Sequence, residues 1–155
     1  MNLNFDAIVV GSGISGGWAA KELCESGLKT LVLERGRMVK HIEDYPTMNL
    51  DPWDVKHGGK TTQEELKNYN KQRRWGVNEG NRHFYNKDSE YDYEEDKPFD
   101  WIRGTQVGGR SLIWGRQTYR WSDDDFEANL RDGIAIDWPV RYKEIAPWYS
   151  YVENF

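Results

Sequence analysis

Residues 5–36 read FDAIVVGSGISGGWAAKELCESGLKTLVLERG. Phe5 to Val10 is a short, nearly continuous apolar run rich in β-branched residues, which suits a strand buried on both faces of a parallel sheet. A glycine loop, Gly11 to Gly16, interrupts it. Trp18 to Glu25 then has helical character and stops at Gly27, and Lys29 to Glu34 (KTLVLE) is a second strand closed by Gly36. Strand, glycine loop, helix, glycine and strand in this order predict a βαβ unit, so the expected fold class is α/β and Rossmann-like.

Gly11-Ser12-Gly13-Ile14-Ser15-Gly16 has the form G-x-G-x-x-G, with an acid, Glu34, 18 residues after Gly16. Each piece has a physical task in holding a dinucleotide. Gly11 permits the tight turn, Gly13 lets a pyrophosphate approach the backbone, and Gly16 lets the helix lie close to the strand. The free N–H groups and the dipole at the helix start attract the anion. Glu34 is suited to accept hydrogen bonds from ribose hydroxyls, and its charge disfavours the 2′-phosphate of NADP. Small Ala20, four residues beyond Gly16, and the ending Glu34-Arg35-Gly36 both resemble the FAD-type βαβ unit, a resemblance that leans to FAD over NAD. The candidate cofactor-binding residues of this unit are Gly11, Gly13, Ser15, Gly16, Glu34 and Arg35.

The rest of the chain narrows the reading. Its 155 residues can bury a core, and a net charge of −5 with an acidic isoelectric point excludes a nucleic-acid surface. The lone cysteine, Cys24, forms no internal disulfide and is expected as a small buried residue. No segment approaches the ~18 apolar residues of a membrane span. MNLNFDAIVVGSG lacks the basic region and cleavage site of a signal peptide, so the default compartment is the cytoplasm, with export on a partner subunit left open.

From Arg37 to Phe99 the sequence is polar and poor in aliphatics. Thr62 and Glu65 form a capping box that should open a helix to about Arg73, and the six acids of residues 88–96 suggest a solvated loop. Gly58-Gly59-Lys60-Thr61 is not a P-loop, because Asp54 stands where that motif needs its first glycine. His41, His57 and His83 lack metal-site spacing, and the eight tryptophans are expected mainly in the core. Ser122 should cap a helix over Asp123 to Leu130 that ends at Gly133, and Trp138-Pro139 precedes a last helix. That helix runs to Phe155 with no stop signal, which raises the expectation of a longer, truncated chain.

A second glycine stretch, VGGRSLIWG (Val107 to Gly115), is too glycine-rich for a strand and too apolar for a surface loop. With the first block and with WPVRYKEIAPWYSYVE (Trp138 to Glu153), it resembles the glucose–methanol–choline (GMC) oxidoreductases, flavoenzymes that oxidise alcohols. The three blocks stand in the family's order and cover over a third of the chain. Gly-Gly-x-Ser followed by Trp114 looks most like the pyranose oxidase and bacterial sugar dehydrogenase branch.

The resemblance implies an organisation of an FAD-binding βαβ unit over 1–36, a polar insertion over 37–100, a flavin-contacting loop over 101–121 and the helical start of a substrate domain over 122–155. It implies that Gly108 and Gly109 pass the flavin, their amides stabilising its reduced charge, that Ser111 hydrogen-bonds the cofactor and that Trp114 walls it. Pyranose oxidases link flavin through a histidine just before this Trp. Ile113 stands there instead, so FAD is expected to be non-covalent. The substrate would be a sugar or other alcohol, with an electron-acceptor subunit as a further partner. The family's catalytic histidine has no counterpart among the three histidines, so no catalytic residue and no metal ligand are assigned. Two other readings stay open: a non-catalytic dinucleotide-binding module and an NAD-dependent dehydrogenase.

Overall fold

In the computed structural model the chain is mixed α/β and divides into two compact units, Met1–Gly115 and Arg116–Phe155. The structure describes residues 4–91 and 93–155, the side chain of Arg73 excepted. Met1 to Leu3 and Asp92, one of the acids of the 88–96 stretch, lie outside the described residues.

The first unit opens with β1 (Ala7–Val10), α1 (Ile14–Glu25) and β2 (Thr30–Leu33). The two strands pair in parallel, Ala7 with Thr30 through Val10 with Leu33. Asp6 fixes the start of the register: its carboxylate accepts from the Lys29 N–H at 2.8 Å. The helix begins four residues earlier than Trp18, directly on the glycine loop with Gly13 as its N-cap. Beyond β2 an isolated parallel bridge joins Arg37 to Gln106.

Burial on both strand faces is not observed. Val9 is buried, but Ile8 and Val10 are 61% and 82% exposed. Among the described residues the sheet has two strands, and α1 is the helix that packs on them, so one face stays bare. Cys24 is likewise exposed, because it sits on a face of α1 that nothing covers. No tryptophan is fully buried, and Trp53 and Trp148 are mostly exposed. Two small units cannot enclose such large rings.

The polar segment after β2 is built largely from single turns. The Thr62–Glu65 capping box forms, but α2 (Gln63–Leu66) stops after one turn and passes into a 3₁₀ turn over Lys67–Tyr69 rather than reaching Arg73. Asn68, Tyr69 and Asn70 are weak helix formers, and the next residues are claimed by other contacts. Gln72 is fully buried: its amide N–H donates to the Asn86 carbonyl at 2.5 Å and its oxygen accepts from the Arg103 N–H at 2.9 Å. One side chain thus satisfies backbone groups that a strand would otherwise pair. Around it lies a small core of Tyr69, Val77 and Tyr85, with Ile102 and Ile113 packed against it.

The acidic stretch is not simply solvated. Asp88 accepts from the Lys71 N–H at 2.9 Å, Glu90 from the Asn86 side-chain N–H at 2.9 Å, and Glu95 pairs with Lys71. Next to it the Arg103 guanidinium, on a residue 8% exposed, has three buried nitrogens with no hydrogen-bond partner among the described residues. Three rings surround it instead: Tyr91 at 4.8 Å, Trp101 at 5.0 Å and Tyr93 at 5.7 Å. A desolvated cation over aromatic faces gains ~2 kcal/mol or more. Arg103→Ala is therefore expected to lower stability by about 2–4 kcal/mol in denaturant titration, losing both the charge contact and the packed stem. Arg103→Met, which refills the ring cage without a buried charge, should recover at least half of that loss.

In the second unit α3 (Asp123–Asp132) starts on Ser122, whose N–H and hydroxyl both donate to Asp125, and ends on left-handed Gly133 at φ 65°. Phe126 is buried against Trp121 and Trp138. α4 (Tyr142–Glu153) carries Pro147 inside it. Arg120 ties to α4 through Glu153 at 2.5 and 2.7 Å and Ser150 at 3.0 Å. Among the described residues no helix is long and apolar enough to cross a membrane.

Candidate functional site

The two glycine stretches, separated by almost a hundred residues in sequence, meet in the first unit. The two adjacent glycines of VGGRSLIWG have a backbone reason. Gly108 and Gly109 are both left-handed, at φ 88° and 54°, and open a 3₁₀ turn over Gly109–Leu112. Two successive residues of that hand strain any side chain. The two loops lie in van der Waals reach of one another: a Cβ on Gly109 would stand 3.7 Å from Gly13 Cα, and one on Gly13 would stand 4.0 Å from the Gly108 carbonyl.

Gly16 does different work. A Cβ there would land on the Gly11 carbonyl oxygen, far inside van der Waals contact, with Val9 Cγ1 at 3.4 Å. Its bareness lets α1 lie against β1, whereas around Gly13 the space is open. Among the described residues the first turn of α1 has no side-chain cap, since its N-cap is Gly13.

Two cavities flank the meeting point and share Val10, Gly11 and Gly13. One, ~480 Å³, extends past Ser12 to Glu34, Arg35, Thr105 and Gln106. The other, ~530 Å³, extends past Ile14, Ser15 and Gly16 to Arg110, Ser111 and Trp114. Both fall within the size range of ligand sites. Nine of the ten residues singled out in the sequence line at least one of the two cavities; the tenth, Gly108, contacts Ser12 and Ser111, which line one each.

The hydrogen bonds refine the roles read from the sequence. Glu34 Oε2 accepts from the Ser12 N–H at 2.8 Å and the Ser12 hydroxyl at 2.6 Å, while Oε1 accepts from the Gly36 N–H at 2.7 Å. Three of the roughly four acceptor positions of the carboxylate are thus already used, leaving limited capacity for a ribose. The same bonds, those from the Ser12 hydroxyl first, hold the Glu34 carboxyl down at about 2. The Gly108 N–H donates to Ser12 Oγ at 3.1 Å and the Gly109 N–H to the Gln106 carbonyl at 2.7 Å. These two amides therefore organise the loop instead of standing free for a reduced flavin. The Ser111 hydroxyl donates to the Gly108 carbonyl at 2.5 Å, so it is left as an acceptor. Ile113 packs into the core of the polar segment, and its carbonyl accepts from the Tyr85 hydroxyl at 3.3 Å.

Four further polar residues line the cavities without having been singled out: Ser12, Thr105, Gln106 and Arg110. Ser12 and Arg110 occupy variable positions of their motifs, and Thr105 and Gln106 precede the second one, so no spacing rule marks them. Arg35 is also tied into the polar segment: its guanidinium stacks on Tyr91 at 4.8 Å, on a ring that Arg103 also approaches at 4.8 Å. None of His41, His57 and His83 lines either cavity. His57 belongs to the Gly58-Gly59-Lys60-Thr61 turn, where the Thr61 hydroxyl is occupied by the Val77 carbonyl at 3.3 Å.

No family model matches the chain. Along nearly its whole length it is similar to proteins named as oxidoreductases. It is 27% identical over 151 residues to a 2-methyl-1,2-propanediol dehydrogenase of Mycolicibacterium austroafricanum, covering 94% of this chain and 23% of that protein. It is 26% identical over 154 residues to a 6'''-hydroxyparomomycin C oxidase of Streptomyces lividus, covering 97% and 22%. It is 24% identical over 159 residues to a fructose dehydrogenase large subunit of Gluconobacter japonicus, covering 97% and 27%. The chain spans about a quarter of the length of these relatives.

Proposed function

We propose that this chain is the cofactor-holding part of an FAD-dependent oxidoreductase of the GMC type, acting on CH–OH groups of sugars or other alcohols. The observation that carries the reading is the meeting of two glycine loops between two ligand-sized cavities. A Rossmann-like βαβ unit grips one end of a dinucleotide, and Val107 to Gly115 grip the other. The names of the relatives, two dehydrogenases and an oxidase, support oxidation of hydroxyl-bearing substrates.

The residues present fit such a group. Gly13 stands where a Cβ would enter open space rather than protein, as a close-approaching pyrophosphate requires. Uncapped N–H groups of α1 and the Arg110 side chain lie at the same cavity. Glu34 and Arg35 would hold the adenosine side, and Gly108, Gly109, Ser111 and Trp114 the flavin side. Ile113, at the position where the resemblance implies a linking histidine, has no nucleophile, so the proposed binding is non-covalent. The chemistry that the flavin supplies when bound is acceptance of a hydride from the carbinol carbon at N5. The chain's part is to bind, orient and wall that group. No proton acceptor is assigned, because no histidine lines either cavity. The relative named as a large subunit supports a partner subunit, to which the proposal assigns electron acceptance.

Reconstitution tests the reading. The purified chain mixed with FAD and desalted should stay yellow, quench flavin fluorescence, and release all flavin on acid precipitation. Retention of NAD or free adenine nucleotide with no flavin would overturn it.

A further inference from the structure

The bond chain Glu34–Ser12–Gly108 crosses from the end of β2, through the first glycine loop, into the second. Each link is short and directed. The Ser12 hydroxyl has one proton to give and gives it to Glu34 at 2.6 Å, and its oxygen takes the Gly108 N–H at 3.1 Å. Ser12 and Gly108 are 96 residues apart, and Ser12 holds both partners at once. We propose that Ser12 is a positioning residue that sets the spacing of the two glycine loops and thereby the affinity for the dinucleotide that lies between them. The part concerning affinity rests on the FAD reading above; the part concerning loop spacing does not.

The chemistry favours a strut over an incidental contact. A carboxylate accepting from a hydroxyl and two amides makes charge-assisted bonds, about twice as strong as neutral ones. The hydroxyl so polarised becomes a better acceptor for the Gly108 N–H. Among the residues lining that cavity, Arg35 is the other charged group; the facing elements contribute Gly11, Gly13, Gly104, Thr105, Gln106 and Gly109, none of which titrates. The strut therefore depends on one ionisation, that of Glu34.

The sign of the pH effect follows from Glu34. Its folded value, about 2, is below its ordinary 4.5. The stabilisation is present above 4.5 and is lost as pH falls from there through 2. Removing the Ser12 hydroxyl takes away its largest cause and moves the acid limit upward.

The test uses Ser12→Ala and Ser12→Thr in the 155-residue chain, with three readouts. In Ser12→Ala, amide exchange at Gly108 should accelerate, the acid midpoint for unfolding should move to higher pH, and the FAD Kd should rise about tenfold. Ser12→Thr, which keeps the hydroxyl, should return all three toward wild type. Unchanged exchange at Gly108 together with an unchanged acid midpoint in Ser12→Ala would overturn the strut. A weaker Kd that Ser12→Thr does not restore, with the pH midpoint fixed, would overturn it too, as it would mark a merely structural defect. Failure of the wild-type chain to bind FAD would sink the flavin reading alone, and the exchange and acid-midpoint readouts would still decide the strut.

Discussion

Gly16→Ala is expected to leave the first unit unfolded or nearly so. The new methyl would occupy the space of the Gly11 carbonyl, with the Gly11 carbonyl carbon at 3.0 Å and Val9 Cγ1 at 3.4 Å. The obstacle is backbone in the turn between β1 and α1, so no rotamer change relieves it. Gly11 is itself left-handed at φ 92° and gives its N–H to the Leu33 carbonyl at 2.7 Å, which anchors the turn to β2. Overpacking typically costs about 1–3 kcal/mol and occasionally more, and a clash this deep with fixed backbone belongs at or above about 3 kcal/mol. That is a large part of the ~5–15 kcal/mol that holds an ordinary domain together. Thermal unfolding followed by circular dichroism checks it. Gly13→Ala is the control, because its φ is −67° and its new methyl meets nothing closer than 4.0 Å. It should fold within about 1 kcal/mol of wild type while FAD affinity falls at least tenfold, since the methyl stands where the ligand approaches. Equal stability of Gly16→Ala and wild type would refute the close strand–helix contact.

Gly36→Ala is expected to detach the second glycine stretch from the βαβ unit. A Cβ on Gly36 would stand 2.6 Å from the backbone nitrogen of Gln106 and 2.7 Å from its carbonyl carbon, and closer still to Cα. Nothing there can turn aside. The neighbouring Arg37–Gln106 bridge and the 3.0 Å bond from the Val107 N–H to the Arg37 carbonyl would break, and with them the seat of the Gly109 turn on Gln106. A loss of about 2–4 kcal/mol is expected, read in denaturant titration. Faster amide exchange confined at first to residues 105–109 would distinguish this local detachment from general unfolding. A variant with wild-type exchange at those amides would rule the contact out.

Glu34 shows how far a motif reading carries and where it falls short. Its place at the end of the second strand was legible, because strand, glycine loop and helix each leave a local pattern and the acid falls at the right distance from them. Its partners were not. The spacing suggests a free carboxylate offered to a ribose; the structure spends most of it on Ser12 and Gly36. The same holds for the adjacent glycines. Their need for left-handed backbone is a property of the residues themselves, while the engagement of their amides depends on Ser12 and Gln106 brought from elsewhere.

The sequence by itself determined what is encoded within a few residues. These are the β-branched run of β1, the G-x-G-x-x-G turn into α1, the capping box at Thr62, the cap at Ser122, and the stop at Gly133. Local sterics and local hydrogen bonds suffice for each. Only the tertiary structure decided which distant groups satisfy one another. Ser12 reaches Gly108, Gln72 serves Asn86 and Arg103, the Arg103 charge rests in a cage of three rings, and Gly36 lies against Gln106. Such pairings follow from where the chain returns after long excursions and from the cost of leaving buried polar groups without a favourable neighbour. That cost has no period and no spacing, so it leaves no mark in the sequence.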